Sequence, residues 1–463
     1  MYFKQFYLGC LAHASYMIGS GKEAAVVDPQ RDVDQYLEAA REHGLEIRYV
    51  IETHVHADFV SGHRELARRT GAEIVFGARA PAAFPHRAVR DGDELTIGRV
   101  TLTVLETPGH TPEAISLVAR DADLPDEPPM LLSGDTLFIG DVGRPDLVGS
   151  KGYGADEMAR MLYDSLHEKI LSLDDAVRVF PAHGAGSLCG RKISADRTST
   201  IGEQRRTNYA LQPMSKAAFV EMMTAGLPDA PPYFALNAGL NLGDVPPLAD
   251  LAQPEALTAA GVAERMADGA LVLDVRPSER YAPRHIRASL NIGLDGQFAT
   301  WAGTLIDYDR PIIVVADSDA EHDEAVVRLA RVGLSHVVGY LDGGVGAWES
   351  AGLPVSSIEQ ISVTKLHELL EHVPPEQFLD VRRPVEFSEG AAPGAVPFPL
   401  ARFAREIPPL DPQAPTVIIC GSGYRSSIAA SLLESRGYRS MTSVDGGMAA
   451  YAQAGLPLVQ HAA

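Results

Sequence analysis

The first 110 residues alternate short apolar runs with polar turns and helical patterns. Residues 2–9 and 13–18 read as strands, and the run 23–27 is a third that ends in Asp28-Pro29. A helical spacing over 33–42 leads to another apolar run at 47–51, then a helix over 64–69 and strands at 73–76 and 99–105. After residue 260 the pattern changes to β-rich runs separated by longer helical segments, which implies parallel sheets covered by helices. That second half repeats itself. Leu271-Val-Leu-Asp-Val-Arg276 matches Phe378-Leu-Asp-Val-Arg382, and Tyr340-Leu-Asp-Gly-Gly344 matches Ser443-Val-Asp-Gly-Gly447. Between the halves, 228–247 is rich in Pro, Gly and Ala and reads as a linker.

Candidate chemistry falls at the ends of the strands. Thr53-His54-Val55-His56-Ala57-Asp58-Phe59 follows the run at 47–51, and alternate residues of an extended segment point the same way, so His54, His56 and Asp58 can share one centre. His110, Asp135 and His183 each follow a later strand-like run. Imidazole with carboxylate suits zinc, iron or manganese rather than calcium or magnesium. In the last repeat, Thr416-Val-Ile-Ile-Cys420-Gly421-Ser422-Gly423-Tyr424-Arg425 is a buried strand, a cysteine, a small-residue loop and a helix start. Successive backbone N–H groups at such a turn stabilise an anion, here a thiolate or persulfide on Cys420. The first repeat has Asp317-Ser-Asp-Ala-Glu-His322 at that place, with neither cysteine nor arginine.

The pattern Thr-His-x-His-x-Asp, followed by His, Asp and His on later loops, resembles the metallo-β-lactamase superfamily over roughly residues 1–210. The resemblance implies an αββα sandwich. The motif's last histidine is Phe59 here. In dinuclear members that histidine, with the residues matching Asp58, Asp135 and His183, holds a second metal, so the resemblance implies a mononuclear centre. Such a centre is similar to that of persulfide dioxygenases. Carried over residue by residue, the ligands of one Fe(2+) per chain would be His54, His110 and Asp135, with His56, Asp58 and His183 supporting them or holding water. Arg144 matches a position near the substrate pocket, with Arg191, Lys192, Arg205 and Arg206 as further cation candidates. Cys189 matches a cysteine near the iron in the variant fused to rhodanese domains.

Cys-x-x-x-x-Arg after a strand resembles the active loop of rhodaneses, with Cys420 and Arg425 catalytic and Gly421, Ser422, Gly423 and Tyr424 meeting substrate. The phosphatase loop is one residue longer, and the shorter one favours sulfur. The expected fold is α/β: a metallo-β-lactamase sandwich over 1–235 including the linker, a rhodanese-like domain over 255–356 without the cysteine, and an active one over 360–460. The implied function is oxidation of a low-molecular-weight persulfide by O2 to sulfite and thiol, coupled through Cys420 to formation or use of thiosulfate. A zinc thioester hydrolase resembling glyoxalase II, fused to a sulfurtransferase, is the alternative, and a non-enzymatic sulfur-carrier scaffold is a third reading.

Bulk properties narrow the partners. A chain of 463 residues with 46% hydrophobic content suits about three packed domains. A net charge of −21 argues against nucleic acid, which needs a basic footprint. No apolar run approaches the roughly 18 residues of a membrane span, and no basic leader precedes one, so a cytoplasmic protein is expected. The three cysteines, Cys10, Cys189 and Cys420, are too few and scattered for a disulfide framework. Expected partners are therefore persulfide, O2, sulfite, thiosulfate and thiols, with a homo-oligomer implied by the superfamily.

Overall fold

The computed structural model describes residues 1–148, 152–370 and 374–460. The chain divides into two compact units, Met1–Leu251 with Ala330–Gly333, and Ala252–Leu329 with Leu334–Ala463.

The first unit holds two six-stranded sheets in sequence order. One contains β1 (Tyr2–Leu8), β2 (His13–Ser20), β3 (Glu23–Val27), β4 (Glu46–Ile51), β5 (Glu73–Gly77) and β6 (Arg87–Val89). The other contains β7 (Glu94–Ile97), β8 (Val100–Glu106), β9 (Ile115–Asp121), β10 (Met130–Gly134), β11 (Arg178–Pro181) and β12 (Ser199–Thr200). Strand alternation explains why they stack. Ala14, Tyr16 and Ile18 of β2 face Leu102, Val104, Leu117 and Leu132 of the second sheet, whereas Met17 points outward. Met17, Val26 and Val50 are covered by Tyr36 and Ala39 of the helix Asp34–Glu42 and by Leu66 of the helix His63–Thr70. On the far side, Leu131 and Val179 meet Leu162 of Ala155–Asp164 and Phe219 of Lys216–Thr224. Both faces of each sheet are thus buried, which is the αββα sandwich.

The stretch read as a linker is corrected here. Tyr233–Leu242 is a helix of the first unit. Its Ala238 packs with Val55, Ile74, Phe76 and Phe84.

The second unit contains two five-stranded parallel sheets built to one plan. The first runs β13 (Glu255–Leu257), β18 (Val337–Leu341), β17 (Ile312–Val315), β14 (Leu271–Asp274), β16 (Leu290–Asn291), with a small pair β15 (His285–Ile286) and β19 (Val355–Ser356). The second runs β20 (Glu359–Ile361), β24 (Met441–Val444), β23 (Thr416–Ile419), β21 (Phe378–Asp380), β22 (Val396–Pro397). Each strand of one sheet has its counterpart at the same place in the other, as the internal repeat implies. In the first copy a helix already starts at Asp319, inside the segment expected to be loop. No helix among the described residues is long and apolar enough to cross a membrane.

Candidate metal centre and sulfur-transfer loop

Every metal-competent residue follows a strand end: His54 after β4, His110 after β8, Asp135 after β10 and His183 after β11. The pairing of β10 with β11 slips between Leu132 and Gly134, and this irregularity turns Asp135 inward. Gly134 is in the left-handed region at φ 54°, and a Cβ there would meet Thr53 Oγ1 at 2.7 Å. Only glycine fits between the loops that carry His54 and Asp135.

Ligating atoms of His54, His110 and Asp135 lie within 4.8 Å of one another, all buried. His54 Nε2 is 3.7 Å, and His110 Nε2 3.4 Å, from Asp135 Oδ2. Hydrogen bonding behind the rings sets which nitrogen is free. Thr53 Oγ1 donates to Asp28 Oδ2 at 2.8 Å, so at 3.0 Å it can only accept from His54 Nδ1–H. His110 Nδ1–H donates to the Arg144 carbonyl at 2.9 Å. Both rings therefore commit Nδ1 to a fixed acceptor and turn Nε2 toward Asp135. Burial, and then the neighbouring His56 and His110, hold His54 well below the usual imidazole range, which keeps it neutral. His54 Nε2 and Asp135 Oδ2 have no hydrogen-bond partner although buried. Orphaned buried atoms of this kind are costly unless something binds them, and a cation between them fits the donor set.

The other sequence-derived residues separate into two groups. Asp58 and His183 meet, with Cys189 close enough that all three ligating atoms lie within 4.8 Å. His183 is fully engaged: Nδ1 bonds Asp135 Oδ1 and Nε2 bonds Asp58 Oδ2, each at 2.7 Å. Burial opposes its protonation, but Asp135 and Asp58 raise its pKa well above the ordinary value. Burial, with Asp58 and Asp135, pushes the Cys189 thiol up. Phe59 is buried, its ring 4.2 Å from that of His13 and 4.5 Å from that of His56. His56 Nε2 lies 3.1 Å from Asp28 Oδ1 and 3.5 Å from Glu52 Oε2 and is not part of the group formed by His54, His110 and Asp135.

Two expectations need correction. Arg144 is buried, and its guanidinium is spent on Asp146 at 2.7 and 3.0 Å and on the carbonyls of Leu188 and Pro228. It braces the loop whose carbonyl orients His110, instead of offering a cation to substrate. Arg191 likewise bonds the Met223 and Ala225 carbonyls, while Arg205 and Arg206 pair with Asp175 and Glu203. Tyr424 was expected to meet substrate, yet its hydroxyl donates to the Gly293 carbonyl of the first repeat at 2.8 Å.

Several supporting residues escaped the sequence. Asp28 takes a left-handed φ of 52° and accepts both the N–H and the hydroxyl of Thr53, at 2.7 and 2.8 Å. Glu113 accepts Val55 N–H at 2.9 Å. Asn241, inside the misread linker, donates to the carbonyls of His56 and Phe59 and accepts Ser61 N–H, each at 2.8 Å. The Asp28-Pro29 turn was visible in the sequence; the partner of Asn241 was not.

At the other candidate site Cys420 is fully buried after β23. Gly423 N–H points at its Sγ at 3.1 Å, and Ser426 Oγ lies 3.7 Å away. Gly421 and exposed Ser422 complete the turn before the helix Tyr424–Ser435. Arg425 reaches across Gly421, where a Cβ would sit 2.8 Å from its NH2, and forks onto Glu386 at 2.7 and 2.9 Å. A carboxylate therefore holds the Arg425 guanidinium in place.

Residues 8–183 match the metallo-beta-lactamase superfamily model. The mitochondrial persulfide dioxygenase ETHE1 of Bos taurus is 31% identical over 213 residues, 45% of this chain and 75% of that protein. Its counterpart in Homo sapiens is 30% identical over 241 residues, 51% of this chain and 86% of that protein. The chain belongs to the metallo-beta-lactamase superfamily. This superfamily member continues into two rhodanese-like domains, matched over 258–351 and 362–454. A solved metallo-beta-lactamase from Staphylococcus aureus subsp. aureus COL superposes with a TM-score of 0.65 at 33% identity, covering 74% of this chain and 98% of that one.

Proposed function

We propose that this protein oxidises a low-molecular-weight persulfide with O2 and passes sulfur through a separate rhodanese loop. The amino-terminal reading rests on the relatives that are persulfide dioxygenases and on one observation: two imidazoles and a carboxylate bring buried ligating atoms to one point, those of His54 and Asp135 without a hydrogen-bond partner, while Phe59 stands where dinuclear members have a ligand. His54, His110 and Asp135 would hold a single ferrous ion, which supplies activation of O2 and a Lewis-acidic position for sulfur. The chain's own residues do the rest. Thr53 and the Arg144 carbonyl fix the rings, and His183 keeps Asp135 oriented through its second oxygen. The reaction balances as RSSH + O2 + H2O giving RSH, sulfite and two protons.

The Cys420 thiolate would attack the outer sulfur of a second RSSH, breaking its S–S bond and releasing RSH to leave a Cys420 persulfide; sulfite would then attack the outer sulfur of that persulfide, breaking its S–S bond to give thiosulfate and the Cys420 thiolate. This is ordinary thiolate–disulfide exchange chemistry, reversible in principle. Gly423 N–H stabilises the thiolate in either direction. We place the reaction in the cytoplasm.

Metal content of anaerobically purified protein, followed by O2 uptake on adding glutathione persulfide, tests the first half. A single iron per chain with rapid uptake is expected. Zinc, no uptake and hydrolysis of a glutathione thioester would replace the dioxygenase with the hydrolase. His110→Ala should abolish uptake and leave thiosulfate cleavage intact; equal loss of both would sink the two-site scheme.

A further inference from the structure

The helix Tyr424–Ser435 begins at the Cys420 loop and carries an unusual stripe. Tyr424, Ser427, Ser431 and Glu434 are spaced three, four and three apart, so they share one face. A polar stripe on a helix belongs in water, yet Ser427 and Ser431 are buried and Glu434 is 9% exposed. Each residue bonds to the first rhodanese-like copy. Tyr424 hydroxyl donates to the Gly293 carbonyl at 2.8 Å. Ser427 Oγ donates to Asn291 Oδ1 at 2.7 Å, and Asn291 N–H donates to Ser431 Oγ at 3.0 Å. Glu434 accepts from Ala288 N–H at 3.0 Å, lies 3.2 Å from His285 Nε2, and accepts the Ser356 hydroxyl.

The receiving surface is equally fixed. Asn291 Nδ2 donates to the carbonyls of Asp274 and Arg276, at 3.0 and 2.9 Å, anchoring it to the end of β14. Gly296 lies against the Tyr424 ring, where a Cβ would come within 2.5 Å. The first copy offers a docking face to its neighbour although its own loop at 317–322 is acidic and has no cysteine.

We propose that Asn291, Tyr424 and Ser427 are positioning residues for sulfur transfer at Cys420. Two of the contacts fall in the helix's first turn, beside the Gly423 N–H that points at Sγ. Gly423 is the residue before Tyr424, so a helix free to rock would carry that N–H away from the sulfur. The copy without a cysteine thus holds the donor of the copy that has one. The proposal rests on the reading of Cys420 as the sulfur carrier.

The test uses the full-length chain with thiosulfate as donor and cyanide as acceptor. Tyr424→Phe and Ser427→Ala each remove one bond to the first copy and leave Cys420, Gly423, Arg425 and Ser426 in place. Together they should lower kcat about tenfold, with KM for thiosulfate within about twofold, since misplacement of a reacting group by a fraction of an ångström costs rate rather than binding. Ser435→Ala, on the same helix but bonded only to the Leu432 carbonyl, should match wild type. Alkylation of Cys420 by iodoacetamide should slow in the double variant in parallel with kcat. Unchanged kcat and alkylation in the double variant would overturn the proposal, as would a loss confined to KM. If the double variant does not accumulate, Tyr424→Phe alone decides, with about a threefold loss of kcat expected and none overturning it. Failure of the Cys420 reading is separately visible: Cys420→Ser would then retain wild-type transfer.

Discussion

Replacing Asn241 tests whether the metal loop is held from outside its own sequence. Asn241→Ala removes three bonds of 2.8 Å and strands two carbonyls and one N–H, all buried. A buried hydrogen bond is worth about 1 kcal/mol net, and an abandoned partner costs about 1–3 kcal/mol. The alanine leaves room for a water to rebond part of the set, so about 2–4 kcal/mol is the expected cost. If about 2 kcal/mol of it falls on the ordering of residues 54–61, metal affinity drops about thirtyfold. Asn241→Asp has the same shape but faces two carbonyls with a carboxylate, and should do more damage than alanine. The assay is metal retained by the full chain after dialysis against a weak chelator, with O2 uptake measured in parallel and thiosulfate cleavage as internal control. Wild-type metal retention in Asn241→Ala, or an aspartate variant milder than alanine, would refute the argument.

Phe59→His should leave metal stoichiometry at one per chain by elemental analysis, because His183 already spends both nitrogens on Asp58 and Asp135; two metals would show that Phe59 alone blocks the second ion. Cys420→Ser should keep O2 uptake and release sulfite in place of thiosulfate, and continued thiosulfate would implicate Cys189. Glu386 gives a pH signature. Burial opposes its ionisation, but Arg425 and Arg383 lower its carboxyl to about 2 from about 4.5. Its stabilisation is therefore complete above about pH 4.5 and lost as pH falls toward 2, worth about 1–2 kcal/mol once solvent screening is allowed for. Denaturant unfolding of the full chain from pH 5 downward should be flatter for Glu386→Gln, and parallel slopes would remove the pair from the account.

Local patterns revealed what local physics controls. The strands of the first sheet, the parallel sheets of both repeats and the turn at Cys420 follow from apolar spacing and from a cysteine between a strand and small residues. His54, His110 and Asp135 stood out as candidates because ligand residue types recur after strands, and the superfamily resemblance grouped these three; the structure brings their ligating atoms within 4.8 Å of one another. What stayed hidden depends on partners that spacing does not reveal. Asn241 sits in an apolar, proline-flanked stretch that composition reads as linker, and only the fold brings it to His56 and Phe59. Arg144 looked like a free cation because Asp146 and the Pro228 carbonyl are invisible as its partners. Tyr424 sat correctly in the loop, but the direction of its hydroxyl was set by a neighbouring copy.

Asp28 shows where this fold stops optimising itself. A left-handed backbone at φ 52° costs an ordinary residue about 1 kcal/mol or more, and glycine would relieve it. Glycine cannot accept both donors of Thr53, and without that acceptor the Thr53 hydroxyl is free to donate to His54 Nδ1 and no longer fixes which nitrogen is free. Stability and ligand orientation therefore pull this position in opposite directions. A library selected for heat resistance alone would drift to glycine here, and its most robust members would be among the poorest at keeping a metal.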